Sequence, residues 1–534
     1  VTLRRRIPNI PATITSGRTF LQATMPQLET ESVLGAGSIA LAPPPETAEA
    51  ARDTPADSPL DVALVVDLDG TLLRGNVLIE QALVLLRSRP WALFRIPLWL
   101  LKGRAYLKQQ LARSAPVDIA SLPLNPAVER YAAAEKARGR KVYLATAADR
   151  ATAEAIAARC GFFDGVLASD GEVNLKGRRK AAELDRTLPG RFAYAGDSRV
   201  DMPVWARASE AIYVGGARWA RRMARRLGKP ARIFAVPSRL PPLLRAARPH
   251  QWVKNTLVFV PAILGGRIFQ PEVLGEISLA FAALCLIASG SYMLNDVWDV
   301  ADDRRHWSKR HRPIASGDLP IVVALAACPC AIAAGFALGA AVGPAVERML
   351  GVYLALTLLY SLVLKRIAVL DATALAALFT LRFMVGIAAA EVFASPWLLV
   401  FSMMLFASLC FAKRYVEVVG YALRGRNDVS YRGYQAEDAP LLASLGIAAG
   451  MSSIAILALY IVFDAFQRSF YGDTQWLWAL PVILFLFVSR IWLMAVRGTL
   501  NDDPVAFAVA DPQSLALGGA MVAAFLFAWS GTFG

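Results

Sequence analysis

Beyond Trp252 the chain is a succession of apolar runs, more than the core of a water-soluble fold can bury. A helix needs about 20 predominantly apolar residues to cross the hydrocarbon of a bilayer. Runs of that order recur at roughly 254–270, 274–296, 319–344, 347–364, 370–392, 396–417, 439–464, 476–497 and 512–531, which predicts about nine transmembrane helices. The hydrophobic fraction of 56% and the mean hydropathy of +0.43 come almost wholly from this half of the 534 residues. The expected fold is therefore two-part: an N-terminal α/β domain and a C-terminal all-α polytopic membrane bundle.

Basic residues orient the bundle. They crowd the loops after the second run (Arg304, Arg305, Lys309, Arg310, Arg312), the fourth (Lys365, Arg366) and the sixth (Lys413, Arg414, Arg424, Arg426, Arg432). The alternate loops carry about one each or none, so the positive-inside rule predicts that the richer loops, and the N-terminal domain with them, face the cytoplasm of a multi-pass cell-membrane protein. A formal charge of +15 would also suit nucleic acid. The cations instead flank apolar spans and cluster at Trp219–Arg226, where anionic headgroups or phosphate substrates account for them, so no nucleic-acid partner is expected. Of five cysteines, four lie in apolar stretches and none has disulfide-framework spacing; Cys328-Pro-Cys330 lacks the His or third Cys of a metal site.

Residues 1–58 are rich in Pro, Ala, Thr and Glu without a sustained period, and Arg4–Arg6 precedes no signal-like apolar stretch, which predicts a disordered leader. From there to about residue 220, three short apolar strands end in polar residues: Ala63 to Thr71, Lys141 to Thr146, and Arg191 to Asp197. Helical stretches separate them, as in a parallel sheet whose ligands collect at the strand C-termini. Residues 77–116 form a helical insertion rich in Leu, Trp and Arg, expected to be a cap over a pocket; its Trp91–Lys102 stretch would also suit a bilayer surface. Residues 221–247 are basic and Pro-broken, the expected linker to a membrane domain over 248–534.

At the end of the first strand, Asp67-Leu-Asp69-Gly70-Thr71 sets two carboxylates two residues apart in a turn, where one can act as nucleophile and the other can donate a proton. Thr146 ends the second strand, Lys176 precedes a helix, and Gly196-Asp197-Ser-Arg-Val-Asp201 ends the third. Together these motifs resemble the haloacid dehalogenase (HAD) superfamily, a Rossmannoid fold, and especially its phosphoserine-phosphatase-like members with a helical cap. The resemblance implies a phosphatase in which Asp67 attacks phosphorus and Asp69 is acid and base. Thr146 and Lys176 would hold phosphoryl oxygens, and Asp67, Asp197 and Asp201 would hold Mg²⁺. Asp170, Lys180 and Asp185 are expected at the surface.

A second acidic constellation follows the second apolar run. In Asn295-Asp296-Val-Trp-Asp299-Val-Ala-Asp302-Asp303, a continuous helix would place Asp296, Asp299 and Asp303 on one face. Three such carboxylates repel one another unless a cation holds them, and magnesium prefers oxygen ligands with substrate phosphates as its remaining partners. The cations of the next segment, Arg304 to Arg312, suit phosphate oxygens. This segment with Pro313-Ile-Ala-Ser-Gly317, Arg248 to Asn255, Tyr360 to Lys365, Asp371, Arg382 and Lys413 to Glu417 resembles the UbiA superfamily of intramembrane prenyltransferases, and within it the decaprenyl-phosphate phosphoribosyltransferase branch. Trp307 stands where that branch carries Pro. The second aspartate-rich motif of aromatic prenyltransferases is replaced by Lys413, Arg414, Glu417 and Tyr431 to Tyr434 with Asp438.

The resemblance implies Mg²⁺ on Asp296, Asp299 and Asp303, phosphoribosyl diphosphate as donor and a polyprenyl phosphate in the bilayer as acceptor. Lys254, Asn295, Lys309 and Arg312 would bind substrate, with Lys365, Lys413 and Arg414 as further candidates. Arg382 at membrane depth would serve a cavity, whereas Arg490 suits an interfacial position equally. The alternatives are transfer of a polyprenyl group from its diphosphate to an aromatic or other acceptor, and a lipid-binding scaffold without turnover.

Overall fold

The computed structural model describes residues 61–188, 191–229, 231–423, 433–466, 471–500, 507 and 511–530. The expected leader and the loop residues Arg424, Arg426, Tyr431 and Arg432 lie outside these.

The soluble part is built on six parallel strands, β1 (Ala63–Val66), β2 (Val142–Asp149), β3 (Gly165–Ser169), β4 (Phe192–Gly196), β5 (Glu210–Gly215) and β6 (Ala231–Ala235), in the order β3-β2-β1-β4-β5-β6. The central strands β1 and β4 are buried along their whole length, which is why they read as continuous apolar runs rather than alternating ones. Between β1 and β2 come α1 (Val77–Ser88), α2 (Ile96–Leu101), α3 (Arg104–Ser114) and α4 (Pro126–Ala137). The Asn76 side chain caps α1 by accepting from the amides of Leu78 and Ile79 at 3.1 and 3.4 Å. Crossover helices α5 (Arg150–Cys160), α6 (Arg178–Thr187), α7 (Met202–Arg207) and α8 (Ala217–Leu227) complete the layers.

This sheet extends past the expected domain boundary. Residues 221–247 are not a linker throughout: β6 pairs with β5 from Ala211–Ala231 to Gly215–Ala235, and α8 packs Ala220 and Met223 into the core beneath Trp219. Its arginines lie on the opposite face, so a basic stretch is here the wet side of an amphipathic helix.

After α9 (Leu240–Ala247), α10 (Val260–Leu264) leads into the long helices: α11 (Pro271–Trp298), followed by short α12 (Val300–Arg305), then α13 (Ile321–Val342), α14 (Pro344–Leu362), α15 (Leu370–Ala390), α16 (Pro396–Leu423), α17 (Ala439–Tyr460), α18 (Ala479–Val496) and α19 (Pro512–Ser530). Among the described residues eight helices are long and apolar enough to cross a membrane, and α12 is not one of them. The expected first span, 254–270, is also missing from that set. Pro249–Phe259 is a 3₁₀ segment, α10 stops at Gly265, and a Cβ on Gly386 of α15 would fall 2.0 Å from the Val258 carbonyl oxygen. Close backbone approach at a glycine lets this segment pack against α15.

The two parts meet through α1 and the end of α11. Ile79 and Leu83 of α1 lie against a core of Met293, Val297, Ile321 and Ala324. Above it Arg304 donates two hydrogen bonds to Glu80, at 2.7 and 3.0 Å, with both side chains almost fully buried. Arg74–Asp318 at 2.9 Å, Arg305–Asp118 at 3.0 Å and Arg87–Asp302 ring that contact. A bidentate buried pair fixes an orientation more strictly than apolar contact alone.

Candidate active sites

In the soluble site the chain leaves β1 at Asp67 and turns sharply. Gly70 has φ +80°, and a Cβ there would fall 2.2 Å from Asp197 Oδ2, so the turn depends on a glycine. Asp69 Oδ1 accepts from the Val77 amide at 2.8 Å, which ties the turn to the start of the cap. Single ligand oxygens of Asp67, Asp197 and Asp201 lie within 4.8 Å of one another. That spacing and all-oxygen donor set fit magnesium. Thr146 is buried at the end of this crevice, its hydroxyl accepting from the Ala148 amide at 3.0 Å.

The structure changes the assignment of the lysine. Lys176 is exposed, whereas Lys180, expected at the surface, is 3% exposed and donates to Asp67 Oδ1 at 2.6 Å and to Tyr194 at 2.9 Å. Tyr194 in turn donates to Asp201 Oδ1 at 2.9 Å. The signal was in the periodicity: Lys180 shares a helix face with buried Ala181 and Leu184, which turns it inward. Sequence reading also missed Lys108 of α3, which donates to the Ala147 carbonyl and, at 2.9 Å, to Asn174.

Burial raises the Asp67 carboxyl to about 6 despite Lys180. Burial, then the charges of Asp67 and Asp201, raises Asp197 to about 8. Burial pushes Asp69 up as well, against the Val77 hydrogen bond, which suits a group that must hand over a proton. Burial also lowers Lys108, to about 8. A crowded carboxylate cluster of this kind is relieved by a divalent cation.

The membrane site differs. Helix α11 ends at Trp298, and Asp299 is the junction to α12 with φ −93° and ψ 8°, so the three aspartates do not share the face of one continuous helix. Asp296 and Asp303 are joined through Arg312, whose Nη1 donates to them at 3.0 and 2.7 Å. Asp296 also accepts from Arg248 at 2.5 Å. Asp299 turns instead to Lys365, which donates to its two oxygens at 2.8 and 2.6 Å and lies 3.3 Å from the Asn295 amide oxygen. Among the described residues only the soluble cluster brings three ligand oxygens within 4.8 Å. The donors here are still hard oxygens suited to magnesium, with cationic side chains on them in this structure.

Asp299, Asp303, Lys309 and Lys365 line a pocket with Asp302, His306, Arg366 and Arg87, the last supplied by α1 of the soluble part. Burial raises the Asp303 carboxyl to about 6 against the pull of Arg312. Arg248 was not singled out as a site residue; it takes up a left-handed conformation at φ 54°, uncommon for a residue with a side chain.

Other predicted residues serve elsewhere. Arg414 is 1% exposed and bound to Asp371 and, at 2.5 Å, to Glu417, so its charge ties α16 to α15. Tyr360 donates to the same Asp371 at 2.9 Å. Arg382 is buried between helices, donating to Asn255 at 2.9 Å, the Leu378 carbonyl at 2.6 Å and Tyr353 at 3.1 Å. Lys254 lies 5.9 Å from the Phe379 ring, which Arg382 also faces at 5.0 Å. Lys413 is half-buried on α16. Arg490 pairs with Asp511 at 2.8 Å, beside the start of α19.

An acidic crevice at the end of a parallel sheet, joined to a polytopic bundle with carboxylates and cations gathered at one end, defines an integral membrane enzyme with a hydrolase-like soluble domain. The chain belongs to the UbiA prenyltransferase family, which matches residues 258–510, and carries a haloacid dehalogenase-like hydrolase domain over residues 64–205. It is 37% identical to the uncharacterized protein y4nM of Sinorhizobium fredii, over 87% of this chain and 90% of that one. It resembles nodulation protein NoeC of Azorhizobium caulinodans, 34% identical over 51% of this chain and 87% of NoeC. It also resembles decaprenyl-phosphate phosphoribosyltransferase of Mycobacterium tuberculosis, 32% identical over 50% of this chain and 88% of the relative.

Proposed function

We propose that the membrane domain transfers the 5-phosphoribosyl group of phosphoribosyl diphosphate to a polyprenyl phosphate, and that the soluble domain then removes the 5-phosphate. The observation that carries the first step is the cage of Arg248, Arg312 and Lys365 on Asp296, Asp299 and Asp303, which matches a magnesium-diphosphate leaving group in charge. The relative named decaprenyl-phosphate phosphoribosyltransferase supports the choice of donor and acceptor.

In this reading the lipid phosphate oxygen attacks the anomeric carbon as its bond to diphosphate breaks. Arg312 and Lys365 move from the aspartates to the departing oxygens, and Lys309 and Arg87 flank them from the pocket wall. Magnesium, when bound to the aspartates, supplies neutralising charge for the leaving group. Asn295, Lys254 and the Arg382–Asn255 pair position the acceptor from the helix side. The basic loops support a cytoplasmic position for both sites, where the soluble donor is available.

In the soluble domain Asp67 attacks phosphorus, the ester oxygen leaves with a proton from Asp69, and water then cleaves the aspartyl phosphate with Asp69 as base, releasing inorganic phosphate. Lys180 holds Asp67 ionised and in place, and Thr146 binds a phosphoryl oxygen.

The test is purified full-length protein in nanodiscs with Mg²⁺, a polyprenyl phosphate and donor labelled in the ribose. Transfer of label to the lipid phase that disappears in Asp296→Ala is expected. Absence of transfer by folded protein that instead releases diphosphate from a polyprenyl diphosphate would favour the alkylating reaction.

A further inference from the structure

The cap carries an apolar stripe that the fold does not use. In Pro90–Leu101, Ala92, Leu93, Ile96 and Trp99 face inward onto Leu85, Leu107 and Leu111. The opposite side presents Trp91, Phe94, Leu98 and Leu101, which are 81%, 77%, 61% and 84% exposed. Their spacing of three, four and three residues makes a continuous ridge. Single exposed apolar residues are ordinary on a soluble surface, but a ridge of four large ones marks an interaction surface.

Two observations say what covers it. The ridge is bordered by the exposed cations Arg89, Arg95, Lys102 and Arg104, with no acidic residue anywhere from Arg87 to Ala115, so its partner is anionic at the rim and apolar beneath. The ridge is also continuous with the membrane domain. Trp91 follows by four residues Arg87, which is paired with Asp302 just past the end of α11, and α1 itself lies on the ends of α11 and α13.

We propose that Pro90–Leu101 lies in the headgroup region of the leaflet at which α11 ends, with the ridge of Trp91, Phe94, Leu98 and Leu101 in the acyl boundary and the flanking cations on anionic lipid phosphates. The cap of the soluble domain is then a second, interfacial attachment to the bilayer, besides the buried Glu80–Arg304 contact. It passes through Gly103 into α3, whose Lys108 reaches the side of the phosphatase crevice. One end of the cap touches lipid while the other closes on the catalytic turn. This inference does not depend on which reaction either site performs.

Nitroxide labels at Leu98→Cys and Leu101→Cys, in full-length protein with the native cysteines replaced, would be compared with Ala182→Cys on α6 in nanodiscs of phosphatidylcholine and phosphatidylglycerol. Oxygen collisions should exceed those of a water-soluble nickel complex at 98 and 101, with the opposite order at Ala182. Preferential access of nickel at 98 and 101 would overturn the proposal. Low access of both agents with spin–spin broadening would also overturn it, in favour of a second copy of the chain on the ridge. As a check free of cysteine replacement, lipids brominated near the headgroup should quench the fluorescence lost in Trp91→Phe; unquenched Trp91 emission would likewise refute it.

Discussion

The two acidic clusters of this chain solve one electrostatic problem in opposite ways. In the soluble site three carboxylates converge within 4.8 Å around one lysine, Lys180, which lies 2.6 Å from Asp67 and 3.8 Å from Asp201. In the membrane site each carboxylate already lies on a cation: Asp296 and Asp303 share Arg312, Asp296 also takes Arg248, and Asp299 turns away to Lys365. A converged cluster is prepared for a metal ion before substrate arrives. A cluster covered by arginine and lysine is prepared for a ligand that brings negative charge with its metal, because only then do the cations gain a better partner.

The largest test of that contrast is a reciprocal pair of losses. Asp67→Asn should lower phosphatase activity by on the order of 10³-fold while leaving lipid transfer unchanged, and Asp296→Ala should do the reverse. Both are read in one preparation, with a soluble phosphate ester for the first activity and labelled donor for the second.

Metal stoichiometry sharpens the contrast further. Titration with Mn²⁺, followed by its EPR signal, should show one ion bound without substrate and further uptake when the diphosphate donor is added. Asp197→Asn should remove only the first uptake. Donor-independent filling of both sites would erase the distinction.

Next in size is the contact that joins the two regions. Arg304→Ala strands the Glu80 carboxylate in an almost fully buried position, a change that costs about 3–5 kcal/mol in comparable pairs. Thermal unfolding followed in detergent should show the soluble domain's transition falling, with recovery in a Glu80→Leu, Arg304→Leu double variant.

The smallest effect concerns pH. Burial lowers Lys108 to about 8, so its positive charge is present below that pH and lost above it. The KM of the phosphatase for an anionic ester should therefore rise as pH passes about 8, and Lys108→Arg, which keeps its charge, should flatten that rise.

Motifs confined to one turn were legible in the sequence. The DxDGT turn, the paired aspartates after β4 and the eight long apolar helices are local patterns, and the roles expected of the aspartates came from their resemblance to the haloacid dehalogenase motifs. What depended on tertiary partners was not legible. Arg312 and Lys365 were named from the sequence as phosphate-binding candidates, but their pairing with the carboxylates of α11 and α12, and the part taken by Arg248, come from three segments that no periodicity links. The break at Asp299 belongs to the junction of two helices that apolar patterning does not mark. Basic composition disguised α8 and β6 as linker, and the apolar run at 254–270 is divided by Pro261 and Gly265 and packs where Gly386 admits its backbone. Lys180 was expected at the surface and is buried, although its place beside Ala181 and Leu184 on the buried face of α6 carried the signal.

The most direct test of two sites acting in sequence is one incubation with donor labelled separately in its ribose and in its 5-phosphate. Wild-type protein should yield lipid that retains the ribose label and loses the phosphate label, and Asp67→Asn should yield lipid retaining both in equal amounts. Lipid product carrying both labels from wild-type and variant alike, with the phosphatase active on a soluble ester, would contradict the account.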